Sequence, residues 1–435
     1  MVIFNIKNIV QLKFFQHVMC YASFSVLQKC IPFLLYPLFA RIFQEAEVGY
    51  YVLYQSIYFL SIPVLTLSTE TSISVNFYRL SQEEFAKYLT NVWMMVSGYF
   101  LIGIVILFAF LDKIAFAIQF PKSWFILTII SVYPRFIINI LLIIFRNQNE
   151  ALKYGIISAL STILNNAIGL YFIFGMDMNW QGIVLGILMG DLIVSIFSFY
   201  WLFHLKLIHF KLIIDYWIDS LKMSVPVCLH VIGGWLSSTL NRFFITVLIG
   251  VAATGSYGIA STFAMILNLV VDSFNLAFAP YVFQRLSIFS PKDKRDIVWI
   301  SLFYYCFIVV STLIIMFIAW HWLVSIYGIK YETVKVFIIP LILAAALNGF
   351  YKVHVNCLFF SKKTYLITMV TFGLGLCNIG LSYLMISRYG MLGSAYSSVI
   401  ISWISYMLIV YLANKQYPLN WLRNGRLLFY SLVKK

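Results

Sequence analysis

Three cationic side chains lie inside long apolar runs of this sequence, namely Lys29, Arg135 and Arg242. A charge in hydrocarbon is costly unless it faces a partner or a water-filled cavity, so such residues are candidate functional sites. Arginine donates hydrogen bonds to phosphate through a planar fork, and lysine acts as a point charge. We therefore expect these three residues to line a cationic cavity that binds the anionic head group of a substrate.

Three carboxylates lie in similar runs, namely Asp191, Asp272 and Glu70. Each is a candidate to carry a coupling proton or sodium ion, because intramembrane carboxylates often mark ion pathways. The alternative interpretation is structural, in which Lys29 or Arg135 pairs with Asp191 and holds helices together. The sequence leaves both interpretations open.

The sequence carries no motif for catalysis or for a metal ion. It lacks a G-x-x-x-x-G-K loop, an H-E-x-x-H pair and a D-x-D motif, and its six cysteines form no C-x-x-C pair. Gly373, Gly375 and Gly380 lie inside an apolar run with the wrong spacing for a nucleotide loop, so they indicate close helix packing. We expect no enzyme, no catalytic residue, no metal ion and no cofactor.

The elements that position these residues follow from composition. Of the 435 residues, 62% are hydrophobic and only 10% are charged, whereas soluble domains carry about 25% charged residues. The chain is therefore predicted to be an integral membrane protein. Its net charge of +15 lies in short loops between apolar runs, not on one basic face, so we expect no nucleic-acid partner.

The apolar runs predict an all-α membrane protein with twelve transmembrane helices, because a single chain otherwise satisfies its backbone in lipid only as a closed barrel. The predicted spans are 18–40, 48–72, 91–111, 123–145, 154–175, 181–203, 224–250, 256–282, 297–320, 334–353, 365–386 and 391–413. Of the 30 Lys and Arg residues, 21 lie on the side of the N-terminus, with Lys352 counted beside one of these loops. The positive-inside rule then places both termini in the cytoplasm.

The chain also looks duplicated. Predicted turns end at Gly49-Tyr50-Tyr51 and at Gly255-Ser256-Tyr257, and Gly182 and Gly393 occupy similar contexts further along. Two halves with six spans each have the same orientation, so two parallel six-helix bundles are predicted, with the substrate site between them near the midplane. The predicted divisions are an interfacial segment 1–16, an N-terminal bundle 17–203, a cytoplasmic linker 204–223, a C-terminal bundle 224–413 and a basic cytoplasmic tail 414–435.

Several short motifs resemble those of a known family. They are Pro37-Leu38-Phe39-Ala40-Arg41, Gly49-Tyr50-Tyr51, Val225-Pro226, Asn241-Arg242-Phe243, Gly255-Ser256-Tyr257-Gly258 and Ala279-Pro280-Tyr281. In these motifs the chain resembles polysaccharide flippases, the O-antigen and capsule repeat-unit transporters of the multidrug/oligosaccharidyl-lipid/polysaccharide exporter superfamily. Of the candidate cations, Arg242 alone lies in a stretch that matches the family pattern.

The resemblance implies a transporter in the bacterial inner membrane that works by ion-coupled alternating access. It implies as partners an undecaprenyl-pyrophosphate-linked oligosaccharide, membrane lipids, a coupling proton or sodium ion, and a polysaccharide polymerase with its chain-length regulator. The alternatives are a cation-coupled multidrug exporter of the same superfamily and a membrane polymerase or acyltransferase. An enzyme of the second kind should show a large outer loop or a motif histidine at the membrane surface, and the sequence shows neither.

Overall fold

The structure is a computed structural model that describes residues 24, 28, 31, 33–361, 363–419 and 421. In this part of the chain all regular structure is helical, without a β-strand, as expected for an all-α protein. The helices are α1 (Phe33–Ile42), α2 (Glu45–Thr66), α3 (Glu70–Asn76), α4 (Gln82–Ala117), α5 (Lys122–Ile130), α6 (Val132–Asn147), α7 (Ala151–Gly175), α8 (Trp180–His204), α9 (Ile214–Ser238), α10 (Asn241–Leu248), α11 (Val251–Ile288), α12 (Pro291–Tyr327), α13 (Lys335–Phe360) and α14 (Thr364–Gln416), with a 3₁₀ helix at Ile329–Val334.

Nine helical segments among the described residues are long and apolar enough to cross a membrane, and the bent pair α9–α10 makes a tenth. The longest of them, α14, is a hairpin. Its backbone leaves helical geometry at Gly390 (φ 60°, ψ −143°), and Nζ of Lys363 donates to Oε1 of Gln416 over 2.7 Å, so the two ends of the segment meet. The arms of α14 correspond to the predicted eleventh and twelfth spans, while most of the predicted first span lies outside the described residues.

Two predicted spans are interrupted. The second span stops at Thr66, where Leu67 and Ser68 both adopt φ of 52°, and it resumes as the short helix α3. The seventh span begins at Ile214 and bends by 44° between α9 and α10. Breaks at membrane depth occur where the backbone is buried in protein or lines a cavity, so both breaks mark candidate functional regions.

The predicted turns at Gly49 and Gly255 are wrong, because both glycines lie inside helices, in α2 and α11. The turn before α11 is instead at Gly250, which has φ of 134°. Glycine adopts such a φ without the steric cost that other residues carry. The sequence Val-Ala-Ala-Thr that follows therefore extends the helix rather than the turn.

The chain divides into two compact units, Met1–Cys228 and Leu229–Lys435, and α9 crosses the division. In the first unit a Cβ at Gly186 would lie 2.5 Å from the Cα of Gly169, so α7 and α8 pack backbone to backbone. In the second unit a Cβ at Gly375 would lie 2.7 Å from the carbonyl oxygen of Gly233, which confirms close helix packing at this glycine. Gly373 and Gly380, by contrast, have open space at the Cβ position.

The segment between α8 and α9 is held by two side chains of α4. The hydroxyl of Thr90 accepts from the backbone N–H of His209 over 2.8 Å. The amide of Asn91 donates to the carbonyl of Lys211 over 2.6 Å and accepts from the N–H of Ile213 over 2.8 Å. These bonds satisfy backbone groups of the segment that no helix satisfies.

Candidate functional site

Asp191 on α8 is fully buried and accepts hydrogen bonds from three neighbouring helices. Its Oδ1 lies 2.8 Å from Oγ of Ser161 and 2.9 Å from Nδ2 of Asn165, both on α7. The same oxygen lies 3.4 Å from Nη1 of Arg135 on α6. The hydroxyl of Tyr58 on α2 approaches Oδ2 at 3.5 Å. The pairing of Arg135 with Asp191, expected as the structural alternative, is therefore present.

The sequence explains how α7 reaches this carboxylate. Ser161 and Asn165 are four residues apart, so they lie on one face of the helix. The residue before Asp191 is Gly190, where a Cβ would lie 2.1 Å from Oδ1 of Asn165. A larger residue at position 190 would push Asn165 out of place, so this glycine permits the contact.

Arg135 is more accessible than the carboxylate it pairs with. Its side chain is 29% exposed, whereas that of Asp191 is 0% exposed. Among the described residues, its side-chain hydrogen bonds to Ser161 (2.9 Å) and to Asp191 both use Nη1. A guanidinium carries five N–H donors, of which the bonds to Ser161 and Asp191 use those of Nη1. Asp191 thus holds a cation whose side chain remains partly exposed.

Glu70 is the first residue of α3, directly after the break in the second span. Its Oε2 accepts from the Oγ1 of Thr66 over 3.3 Å, across the break. Asn139 on α6 also hydrogen-bonds to this carboxylate. Both partners are neutral, so Glu70 differs from Asp191 in lacking a cationic partner among the described residues.

Asp272 on α11 pairs with Lys352 on α13. Lys352, which lies at the end of the predicted span 334–353, is inside α13, eight residues before the helix ends. One turn further along, Nδ2 of Asn356 donates to Oδ1 of Asn275 over 3.0 Å. The side chain of Asp272 is 47% exposed and that of Lys352 is 23% exposed, so this pair is more open than the pair in the first unit.

Arg242 lies in the first turn of α10, immediately after the bend in the seventh span, and is half-buried. Its backbone carbonyl accepts from the hydroxyls of Thr246 (2.8 Å) and Thr254 (3.3 Å), which ties α10 to the start of α11. A carbonyl oxygen has two lone pairs, so it can accept from hydroxyl groups in addition to a backbone N–H. The two threonines therefore stabilise the bend that sets the direction of Arg242.

A neutral polar network holds the other side of the bend. Asn241 donates to the carbonyl of Ser394 over 3.1 Å and accepts from Oγ of Ser382 over 2.5 Å. Asn378 donates to the carbonyl of Leu236 over 2.8 Å. These residues join both arms of α14 to the bend, and they contain no formal charge.

Lys29 lies outside the described residues, so its role stays a prediction. The same holds for the binding roles of Arg135 and Arg242 and for the ion-coupling roles of the carboxylates. Within the described residues, no group of three or more His, Cys, Asp or Glu side chains could hold a metal ion.

Sequence reasoning missed the neutral partners of these charges. A usable signal exists, because polar residues in an apolar helix recur at helical spacing. Asp272 and Asn275 are three residues apart on α11, and Lys352 and Asn356 are four apart on α13. Such pairs share one helix face, so they indicate a polar stripe that faces another helix.

The comparisons with known proteins agree with this architecture. A family model described as polysaccharide biosynthesis protein matches residues 14–286. Protein 1 of the Lsg locus of Haemophilus influenzae is 26% identical over 368 residues, covering 82% of this chain and 87% of that protein. A membrane protein of the same organism is 26% identical over 346 residues, covering 77% of this chain and 81% of its own.

Two solved transporter structures share the fold. The lipid II flippase MurJ in an inward closed conformation superposes with a TM-score of 0.74 at 16% identity, covering 96% of this chain and 93% of MurJ. An inward-facing multidrug resistance MATE family transporter of the MOP superfamily gives a TM-score of 0.71 at 12% identity, covering 92% of this chain and 98% of that chain. The fold is therefore that of a multi-pass membrane transporter.

Proposed function

The chain belongs to the polysaccharide biosynthesis protein family, and from this premise we propose that it is a flippase for lipid-linked oligosaccharides. Its substrate is an undecaprenyl-pyrophosphate-linked repeat unit of O-antigen or a similar surface polysaccharide. It moves this substrate across the bacterial inner membrane by ion-coupled alternating access. Both termini lie in the cytoplasm, and a polysaccharide polymerase with its chain-length regulator receives the product.

The observation that carries the proposal is the pairing of the partly exposed Arg135 with the fully buried Asp191. A cation in a membrane-spanning helix needs a compensating group, and Asp191 supplies it from the buried side. The exposed part of the Arg135 side chain then meets the anionic head group of the substrate. A pyrophosphate offers several oxygens in the geometry that a guanidinium fork binds bidentately.

Arg242 is the second proposed contact with the pyrophosphate. It shares the guanidinium chemistry of Arg135, and the bend between α9 and α10 fixes its position in the helix. Lys29 is the third proposed contact, on the grounds of its charge within an apolar run. Asp191, Asp272 and Glu70 are the carboxylates available to carry the coupling ion.

A cation-coupled multidrug exporter is the second candidate, favoured by the fold shared with the MATE family transporter. Such a protein should present uncompensated carboxylates to a cationic drug. Here Asp191 and Asp272 are each compensated by a cation, and Glu70 is the site carboxylate without one among the described residues. Two compensated carboxylates of three favour an anionic substrate. A membrane polymerase or acyltransferase is less favoured, because the described loops are short.

Deletion of the gene in its own bacterium tests the proposal. We expect loss of surface polysaccharide and accumulation of lipid-linked repeat units on the cytoplasmic face of the membrane. The wild-type gene should restore the polysaccharide, and a gene encoding Arg135→Ala should not. Unchanged polysaccharide in the deletion strain would contradict the proposal.

A further inference from the structure

Glu70, the carboxylate at the break in the second span, has surroundings that differ from those of Asp191 and Asp272. The backbone is irregular at Leu67 and Ser68, where two successive residues other than glycine have φ of 52°. Such conformations are strained and cluster in segments that switch or bind. In transporters, interrupted helices are where ions bind and where the helix can move.

Among the residues that the structure describes, the hydrogen-bond partners of Glu70 are neutral. They are the hydroxyl of Thr66 at 3.3 Å and the amide of Asn139. The two aspartates, by contrast, have Arg135 and Lys352 beside them. A carboxylate beside a cation retains its negative charge, whereas a shielded carboxylate without one is stable mainly in its neutral, protonated form.

The titratable groups that surround α3 do not supply the missing cation. From α9, the thiol of Cys228 lies near Glu70 and hydrogen-bonds to the carbonyl of Pro63 over 3.1 Å. At the other end of α3, Asp219 of α9 accepts from Asn76 over 2.9 Å, and Tyr88 of α4 lies beside Ser72. These groups are neutral or acidic, so none of them would stabilise a negative charge on Glu70.

We propose that Glu70, and not Asp191 or Asp272, carries the coupling ion, and that this ion is a proton. The proposal rests on the proposed function, since it identifies the ion that drives the same transport. Glu70 releases its proton to water when water reaches the break from one side of the membrane. The resulting carboxylate takes up a proton when water reaches it from the other side, so one proton crosses in each cycle.

Asp191 and Asp272 have a structural role instead. Asp191 and Asp272 pair with Arg135 and Lys352 and hold these cations in place. Ionisation of Glu70 beside two neutral partners favours a rearrangement that admits water. The break between α2 and α3 permits this rearrangement, so it can couple the protonation of Glu70 to transport. Transport and protonation are then linked through the movable join between α2 and α3.

Infrared difference spectroscopy on the purified full-length protein tests the protonation state without any substrate. We expect the wild-type protein to show the carbonyl stretch of a protonated carboxyl near neutral pH, and this band should be absent from Glu70→Gln. In Glu70→Asp the band should remain at a shifted frequency. Glu83→Gln is the matched control, since Glu83 is 72% exposed on α4 and pairs with Lys87. Identical spectra for wild type and Glu70→Gln would overturn the proposal.

Proteoliposomes with an internal pH-sensitive dye test the coupling. We expect a lipid-linked oligosaccharide gradient to drive a pH change with wild type and with Glu83→Gln, and at least tenfold less with Glu70→Gln. A pH change that survives in Glu70→Gln, or transport that follows a sodium gradient instead, would overturn the proposal. If the wild-type protein moves no labelled lipid at all, the flippase function fails, while the infrared band still decides whether Glu70 holds a proton.

Discussion

Nη1 of Arg135 lies 3.4 Å from Oδ1 of Asp191, and the two side chains differ sharply in accessibility. The carboxylate is fully buried inside the first unit, whereas the side chain of Arg135 is partly exposed. The pair is present, as the structural interpretation expects, and a binding role for Arg135 stays a prediction.

The first prediction concerns Asp191→Asn. Removal of the carboxylate leaves Arg135 without its partner in a spanning helix, which costs about 3–5 kcal/mol for a buried pair. We expect a marked fall in the amount of protein in the membrane, measured by quantitative immunoblot. The double variant Arg135→Gln/Asp191→Asn should recover the protein level but not the surface polysaccharide. A single variant with normal protein level would contradict this structural role.

The second prediction concerns Asp272→Asn, the matched change in the other unit. This pair is more exposed than the first, and such pairs contribute roughly 0–1 kcal/mol because water screens the charges. We expect a protein level within about twofold of wild type. A collapse in protein level, as severe as that expected for Asp191→Asn, would show that the pair with Lys352 is structural after all.

The third prediction concerns Arg242. If this residue binds pyrophosphate through its fork, Arg242→Lys should retain part of the transport, because lysine keeps the charge but loses the bidentate geometry. Arg242→Ala should lose ~10-fold or more, since a charge-assisted hydrogen bond contributes about 1.5–3 kcal/mol. Surface polysaccharide and membrane protein level are measured together. Full activity of the alanine variant at normal protein level would remove Arg242 from the site.

The fourth prediction concerns topology and uses the loops of the structure as fusion points. The cytoplasmic points are Ser81, Glu150, Phe210, Phe289 and Ser361, and the outer points are Gln44, Gln119, Asn179, Gly250, Gly328 and Gly390. Reporter fusions should alternate between the two sides in chain order, because each pair of points is separated by one predicted span. Two successive points on the same side would break the predicted topology.

Much of the fold could be predicted from the sequence, because lipid leaves a chain few choices of backbone structure. The apolar runs located the spans, and of the three glycines predicted to permit close helix packing, Gly375 does so. The breaks at Leu67–Ser68 and between α9 and α10 were not predicted. Both breaks lie in short polar stretches, at Ser68–Glu70 and at Ser237–Asn241. Hydropathy averaged over a whole span does not resolve such a short stretch, and it contains no information on a local change in φ.

The candidate site was predicted only as a set of charges. Arg135 and Asp191 were identified as candidates because they lie inside apolar runs. Their opposite charges suggested the alternative that they pair with each other. Lys352 was counted beside a cytoplasmic loop at the end of the predicted span 334–353, and α13 extends seven residues beyond this span, to Phe360. The contrast between Glu70 and the aspartates depends on partners from distant helices, which no local pattern in the sequence specifies.

Reconstitution of the purified protein tests directly whether it moves a lipid-linked oligosaccharide across a membrane. The purified protein is placed in liposomes that carry an undecaprenyl-pyrophosphate-linked oligosaccharide with a fluorophore on the sugar, and a membrane-impermeant quencher is added outside. The account predicts that wild-type protein exposes the inner-leaflet fluorophore to the quencher and that Arg135→Ala does not. Equal protection with wild-type protein and with empty liposomes, together with export of an organic cation from the same vesicles, would contradict it.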